Sequence, residues 1–362
     1  MKIAVIIGTR PEIIKMAPLV RALQKAERDF FILHTGQHYS SDLDGVFFAE
    51  LELPQPRYNL ATGSGSHAET TARMLTGIEK VLLSEKPSSV LVEGDTNSVL
   101  AGALAAAKLH IPVGHVEAGL RSYDRTMPEE LNRVMTDHLA DYLFAPTEKN
   151  ASLLHREGIP GDRIFVTGNT IVDSVYQNIE IARGKSHILQ TLNLEKDRYC
   201  LVTAHREENV DIPAKLGNIL EGLRRTQQIL GLPVIFPVHP RTRRRLTEFA
   251  LPVPAGLKLI EPVGFLDFLV LESGAALVLT DSGGVQEETC ILRVPCVTLR
   301  DNTERPETLE TGGNCLAGTD PAVIRDCAAR MLSVPRQWTN PFGDGHSGEK
   351  IERIIAGTGD EK

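Results

Sequence analysis

Residues 2–23, KIAVIIGTRPEIIKMAPLVRAL, decide the fold. KIAVII is an unbroken apolar run of strand length, and a strand without polar alternation is buried on both faces, as in a parallel sheet. Gly8 turns the chain and Pro11 suits the first turn of a helix. Ile13, Ile14, Met16, Leu19, Val20 and Leu23 then recur at helical spacing as one apolar stripe. Strand, tight turn and amphipathic helix open a βαβ unit. Working outward, strands are expected at Phe30–His34, Ser89–Glu93, Pro112–Val116, Tyr142–Ala145 and Ile164–Val166, with helices about Glu69–Ser84 and Ser98–Leu109. The second helix is so rich in Ala, Leu and Val that it should be buried on most sides.

The pattern weakens after Thr170. Residues 183–197, RGKSHILQTLNLEKD, are polar and are expected to form a linker. It restarts with strands Tyr199–Thr203, Val234–Val238, Leu257–Ile260, Ala276–Thr280 and Cys296–Leu299, and a helix at Ala214–Ile229. The expectation is an α/β protein of two Rossmann-like doubly wound domains with a central cleft: residues 1–182, the linker, residues 198–343 and a C-terminal segment 344–362. A length of 362 residues fits two domains.

Composition narrows the classes. The chain is 42% hydrophobic and 24% charged, with a formal net charge of −8. That balance is globular, and the acidic surplus argues against nucleic acid as a partner. No apolar run approaches the ~20 residues that span a bilayer, so no membrane association is expected. Ile3–Ile7 is too short for a signal core and is followed by Arg10, Glu12 and Lys15, so the protein is expected in the cytoplasm. Five cysteines, at 200, 290, 296, 315 and 327, form no CxxC pair and are expected to be reduced and mostly buried. No His, Asp and Glu spacing suggests a metal site.

The polar clusters fall at strand ends, where ligands of open parallel sheets bind, so the site is expected in the cleft. TDSGGVQEE (280–288) pairs two glycines with a helix start, an arrangement that holds phosphate without a metal; Glu287 or Glu288 then reaches ribose hydroxyls. The plainer alternative is a capped glycine turn. Neither a complete GxGxxG nor a GxxxxGK[ST] occurs, which removes support from a nicotinamide-dependent enzyme and a P-loop kinase. Asp95 in GDTN and Glu117 in HVEAGLR are strand-end carboxylates suited to acid–base work, and Glu129 and Glu130 follow at a helix start. Asp95, Glu129 and Glu130 could equally serve helix ends, whereas capping is unnatural for Glu117 before Ala118-Gly119. His205-Arg206 could face a phosphate or leaving group, and RTRRR (241–245) reads as a solvated helix face.

Taken together, GTRPEIIKMAPL (8–19), TGQH (35–38), GDTN (94–97), HVEAGLRS (115–122), MPEELNR (127–133), TGN (167–169), HREEN (205–209), TDSGGVQEE (280–288) and TERPE (303–307) resemble one family closely, the non-hydrolysing UDP-N-acetylglucosamine 2-epimerases. The resemblance runs from Met1 to about residue 333. It implies a GT-B-like fold whose C-terminal helix, here within 344–356, crosses back to the first domain. It also implies interconversion of UDP-GlcNAc and UDP-ManNAc by elimination of UDP through 2-acetamidoglucal and re-addition, with no redox cofactor, in a homodimer serving polysaccharide biosynthesis. Carried over motif by motif, the catalytic group is Asp95, Glu117, Glu129 and His205. Arg10 and Lys15 approach the diphosphate and sugar, Ser282, Gly283 and Gly284 hold the phosphates, Glu288 the ribose, Arg305 the UDP or sugar, and Phe268 the uracil.

One stretch departs from the bacterial members. Residues 39–51, YSSDLDGVFFAEL, lack the glutamines of the helix that binds an activating second UDP-GlcNAc, so that property is not carried over. The FF pair and the HREENVD form look more like the archaeal branch. Three rival readings share the motifs: a hydrolysing relative that releases free ManNAc, an epimerase of UDP-2,3-diacetamido uronic acids, and a sugar-nucleotide sensor without turnover.

Overall fold

In the computed structural model the chain divides into two compact units, Met1–Gln177 with the stretch from Phe342 onward, and Asn178–Pro341. The structure describes residues 1–36 and 41–357, of which 41–44 and 46 by backbone alone. The second half of TGQH, Gln37 and His38, the beginning of the 39–51 stretch at Tyr39 and Ser40, and the end of the 344–362 segment lie outside the described residues.

The first unit is built on seven strands: β1 Lys2–Ile7, β2 Asp29–His34, β3 Tyr58–Asn59, β4 Ser89–Glu93, β5 Val113–Val116, β6 Tyr142–Ala145 and β7 Ile164–Val166. They pair in parallel in the order β3-β2-β1-β4-β5-β6-β7. The second unit holds β8 Cys200–Thr203, β9 Val234–Pro237, β10 Leu257–Ile260, β11 Leu277–Thr280, β12 Cys296–Thr298 and β13 Asn314–Leu316. These are also parallel, ordered β10-β9-β8-β11-β12-β13. Both sheets are doubly wound, and in each the order reverses beside the first strand, between β1 and β4 and between β8 and β11. Such switch points leave a crevice at the strands' carboxyl ends.

The uninterrupted apolar runs become the sheet cores as expected: Ile3 to Ile7, and Val90 to Val92, are essentially without exposure. Gly8 is needed at the first turn because a Cβ there would stand 2.0 Å from Ser98 Oγ and 2.4 Å from Thr35 Oγ1. Helix Arg10–Lys25 follows, with Pro11 and Glu12 in its first turn. The alanine-rich helix Asn97–Lys108 is buried along Ser98, Val99, Ala101–Ala103, Ala105 and Ala106. It lies between helices His67–Glu85 and Pro128–Leu139.

Three features differ from expectation. Residues 183–197 are not an open linker: they finish helix Thr170–Lys185 and form a short helix Ile188–Leu192. Ile188, Leu189, Leu192 and Leu194 lay their apolar sides on Tyr199, Leu271 and their neighbours, and the stretch belongs to the second unit, whose boundary falls earlier, after Gln177. Neither β3, two residues long, nor β13, whose NCL opens on a polar residue, was expected. Cys315 and Cys327 form a disulfide, whereas Cys200, Cys290 and Cys296 are buried free thiols.

The C-terminal helix, Ser347–Ile355, packs within the first unit against helix Arg10–Lys25. Gly348 N donates to Asp173 Oδ1 (2.9 Å), and Arg28 pairs with Glu352 (2.6 Å). A Cβ on Gly348 would lie 2.8 Å from the carbonyl carbon of Pro18, backbone against backbone. Gly348→Ala should therefore push the two helices apart and cost about 1–3 kcal/mol, lowering the thermal transition. Gly184→Ala, with nothing within 4 Å of the new methyl, should be neutral or slightly stabilising. Equal effects of the two substitutions would contradict this packing.

Candidate active site

Helix Arg10–Lys25 starts at the carboxyl end of β1 and brings Glu12 and Lys15 to the switch point. Glu12 is buried and accepts from Gly8 N (2.7 Å) and Thr9 Oγ1 (2.9 Å). Burial pushes its carboxyl up to about 7 against the pull of those bonds. Lys15 Nζ lies 3.3 Å from Glu93 Oε1 and in direct contact with Glu117 Oε2. Glu93, the last residue of β4, is 2% exposed, and its carboxyl is held well above the ordinary range. Burial is the main cause; Glu117 and Glu12 add to it and Lys15 opposes it.

Glu117 follows β5 with φ of 68°, a left-handed conformation that L residues take at a cost of roughly 1–3 kcal/mol. Its surroundings hold it there. His115, without exposure, has Nδ1 2.7 Å from Asp137 Oδ1 and Nε2 2.9 Å from the Gly94 carbonyl. Because a carbonyl only accepts, the ring nitrogen facing Gly94 is the donor. Asp137 Oδ2 accepts from Gly119 N (3.2 Å) and pairs with Arg121 (2.7 Å), which also pairs with Glu157. Burial would raise the Asp137 carboxyl, but the His115 ring and the Arg121 guanidinium outweigh it and hold it below the usual range. One buried pair thus anchors both the loop before Asp95 and the turn around Glu117.

Asp95 is half-exposed and ion-pairs with Arg133. The two glutamates of the PEE step differ. Glu130 is buried and accepts from Ser122 N (2.9 Å), Ser122 Oγ (3.0 Å), Tyr123 N (3.0 Å) and Arg133 (3.0 Å). It is a structural anchor for the 122–123 turn. Glu129 is exposed in the same first turn of helix Pro128–Leu139 and makes none of these bonds. Arg10 is exposed at its helix start, its guanidinium 6.0 Å from the Phe47 ring.

In the second unit, Asp281 at the end of β11 is fully buried and organises the loop after β8. It accepts from His205 N (3.0 and 3.1 Å), Arg206 N (2.9 Å) and Asn209 Nδ2 (3.2 Å). The His205 ring keeps 43% of its side-chain surface exposed, with Nδ1 3.3 Å from Asp281 Oδ1. His239 stands beside it, ring centres 5.8 Å apart. Burial, then His205 and Arg241, hold His239 below its usual range. A cavity of about 240 Å³ opens there, lined by Ala204, His205, Pro237, His239, Phe268 and Ser282 among others. Its lining mixes apolar, aromatic and hydroxyl groups.

Ser282 caps helix Gly283–Leu292, its Oγ accepting from Val285 N. Among the described residues nothing crowds the positions after it: a Cβ at Gly283 or Gly284 would meet its nearest atom only at 3.8 or 3.9 Å. The glycines keep the helix N-terminus open, where free N–H groups and the dipole favour an anion. Glu287 is taken by Arg305 (2.7 Å). Glu288 abuts Glu272, a fully buried carboxyl raised by burial and by Glu288 itself. The RTRRR arginines are engaged by acids, Arg241 by Glu207 and Asp211 and Arg245 by Asp211 and Glu248. Among the described residues no group of three or more His, Cys, Asp or Glu side chains is placed to hold a metal, and no helix is long and apolar enough to cross a membrane.

Within the first unit the structure therefore joins Lys15 with Glu117 and brings Asp95 to a loop tied to the same brace. Within the second it groups His205, Phe268 and Ser282 around one cavity. Four residues escaped the motif reading: Glu12, Glu93, His239 and Glu272. Two had a signal: Glu12 lies four residues before Met16 on the apolar stripe, and Glu93 opens the strand-end polar cluster EGDTN (93–97).

The family model for UDP-N-acetylglucosamine 2-epimerase matches residues 21–356. The UDP-N-acetylglucosamine 2-epimerase of Methanocaldococcus jannaschii is 56% identical over 361 residues, 98% of this chain and 99% of that one. A crystal structure of the M. jannaschii UDP-GlcNAc 2-epimerase with UDP-GlcNAc and UDP is similar with a TM-score of 0.87, covering 98% of this chain and 99% of that chain. The UDP-2,3-diacetamido-2,3-dideoxy-D-glucuronate 2-epimerase of Pseudomonas aeruginosa is 41% identical over 98% of this chain and 99% of its own. A fold of two doubly wound sheets and a match over nearly the whole length lead to one assignment: the chain belongs to the UDP-N-acetylglucosamine 2-epimerase family.

Proposed function

We propose that this protein interconverts UDP-GlcNAc and UDP-ManNAc, inverting C2 of the amino sugar. The observation that carries the reading is the set of buried carboxyls around Lys15 at the first sheet's switch point, with Glu117 held in a strained backbone beside Glu93. Groups whose surroundings push their protonation apart are suited to taking and giving a proton at neutral pH.

In the proposed reaction a carboxylate takes the C2 proton, the C–H pair becomes a C1–C2 double bond, and the C1–O pair leaves with UDP. The 2-acetamidoglucal then takes UDP back while a second acid protonates C2 from the opposite face. C2–H is a weak acid, so stabilising the departing diphosphate is what makes C1–O cleavage accessible. The open N–H groups at Gly283 and Gly284 and the Ser282 hydroxyl take the phosphates, with Arg10 and Lys15 adding positive charge. Phe268 and the cavity beside His205 hold the uracil, and Glu288 the ribose. Asp95, Glu117 and Glu129 are the proton-transfer candidates, and His205 serves the leaving group. Arg305 reaches the nucleotide after exchanging its contact with Glu287.

Incubation of UDP-GlcNAc in deuterated water, without added cofactor, should yield UDP-ManNAc carrying deuterium at C2 by proton NMR. Retention of the original hydrogen would contradict solvent-exchanging proton transfer, and release of free ManNAc would favour the hydrolysing reading. Parallel incubation with UDP-2,3-diacetamido-2,3-dideoxy-D-glucuronate tests the rival substrate, which should turn over more slowly. Glu117→Gln should lower kcat by roughly 10²–10⁴, and full activity would reduce Glu117 to a structural role.

Gly283→Ala separates binding from folding. The protein has room for the methyl and alanine favours a helix, so the melting temperature should not fall. UDP affinity by calorimetry should drop about tenfold or more, ~1.4 kcal/mol, if phosphate occupies the helix start. Unchanged affinity would move the phosphate elsewhere.

A further inference from the structure

We infer that Glu93 is the proton store of the site: it shares one proton with Glu117 and so sets the state in which Glu117 meets the amino sugar. The inference rests on the reading of Glu117 as an acid–base group. Glu93 ends β4, and in the register of β4 with β5 it stands opposite Val116, so Glu117 is its diagonal neighbour. Both carboxyls converge on the Lys15 ammonium, Glu93 Oε1 at 3.3 Å and Glu117 Oε2 in direct contact, and Glu93 Oε1 is buried without a hydrogen-bond partner of its own among the described residues. Two buried carboxyls crowded on one ammonium disfavour joint ionisation, so one of the two keeps a proton. Protons held this way belong to the pair and come off in coupled steps.

The remaining chemistry of the pocket agrees. Lys15 touches both carboxyls, and the three side chains are 16%, 2% and 5% exposed for Lys15, Glu93 and Glu117. Lys15 gives one positive charge to this pair, which balances one carboxylate and leaves the other best kept as the acid. The charged groups facing Glu93 from the neighbouring elements are Lys15 and Glu12 on helix Arg10–Lys25 and Glu117 after β5. Burial, Glu117 and Glu12 all favour the protonated form of Glu93, with Lys15 alone opposing. A residue needed only to fill the end of a buried strand would be apolar, since a buried ionisable group is costly.

In the reaction, when Glu117 takes the C2 proton, the C–H pair forms the C1–C2 bond, the C1–O pair departs with UDP, and the Glu93–Glu117 pair passes from one proton to two. In the forward turnover the opposite-face acid gives C2 its new proton, and the pair and that acid then reset by exchange with solvent. In the reverse reaction the pair gives its proton to C2 and returns to one. Glu93 touches no substrate in this scheme and acts through Glu117, as a positioning residue.

The test compares the wild type with Glu93→Gln and Glu93→Asp. The glutamine amide keeps the shape but stores no transferable proton and adds no like charge. The kcat–pH limb that reports Glu117 should move to lower pH, kcat at neutral pH should fall about tenfold or more, and KM should stay within about twofold. Glu93→Asp should recover part of the profile. A change in KM or stability with the profile in place would make Glu93 merely structural and overturn the inference. Infrared difference spectra supply a readout independent of turnover: the protonated-carboxyl band of the wild type at neutral pH should lose one component in Glu93→Gln, and the same component in Glu117→Gln if the first variant does not fold. Survival of that component overturns the shared proton. A wild type that shows it yet leaves UDP-GlcNAc unchanged would instead refute the proposed reaction while the shared proton stands.

Discussion

One ammonium group, Lys15, touches two buried carboxyls, Glu93 and Glu117, with a third buried carboxyl, Glu12, one turn earlier on the same helix. The other features of the first unit's site follow from that shortage of positive charge. For Glu12 alone, the rise from the ordinary 4.5 to about 7 weighs roughly 3 kcal/mol against its charged form. A protein keeps such groups where their reluctance to ionise is useful, because apolar side chains of similar volume would be no less stable. The doubly wound topology is what gathers them: β1, β4 and β5 are adjacent, and the residues just past their ends share one crevice.

The brace behind this cluster is made of stronger, fully compensated charges. Arg121 pairs with both Asp137 and Glu157 while the His115 ring hydrogen-bonds Asp137, tying the Gly94 carbonyl and the Gly119 amide to a single carboxylate. Fully paired buried charges of this kind rigidify, whereas partly compensated ones titrate. The two networks are neighbours in sequence but opposite in kind. In the second unit Asp281 does the work of a brace with backbone donors, which leaves the His205 ring and the start of helix Gly283–Leu292 accessible.

Much of the fold was legible because parallel strands buried on both faces leave apolar runs that polar residues do not interrupt, as at Lys2–Ile7 and Ser89–Glu93. Residues 183–197 misled because their polar majority hides Ile188, Leu189 and Leu192, spaced for one apolar side of a short helix. Glu117 was legible from its awkward place before Ala118-Gly119, and the positive φ explains why no ordinary cap sits there. Glu93 was legible only as the first residue of the strand-end cluster EGDTN; its adjacency to Glu117 exists only once β4 pairs with β5. Glu129 and Glu130 cannot be told apart by type or position in a motif. Helix phase separates them, turning Glu130 inward to the 122–123 turn and leaving Glu129 exposed. The Cys315–Cys327 pair, twelve residues apart, carries no spacing from which its pairing could be read.

Thermal unfolding of the wild type and of Lys15→Met across about pH 4 to pH 8 reports directly on the charge balance that holds the site together. A carboxyl raised in the folded state favours folding at low pH and loses that advantage as pH climbs from its ordinary value towards its folded one, which for Glu12 spans 4.5 to about 7. Removing the ammonium takes away the one charge that opposes the rise of Glu93. The melting-temperature deficit of Lys15→Met should accordingly be small at the acid end and widen steadily to neutral pH. A deficit of the same size at every pH, or none at all, would mean that Lys15 does not balance buried carboxylates.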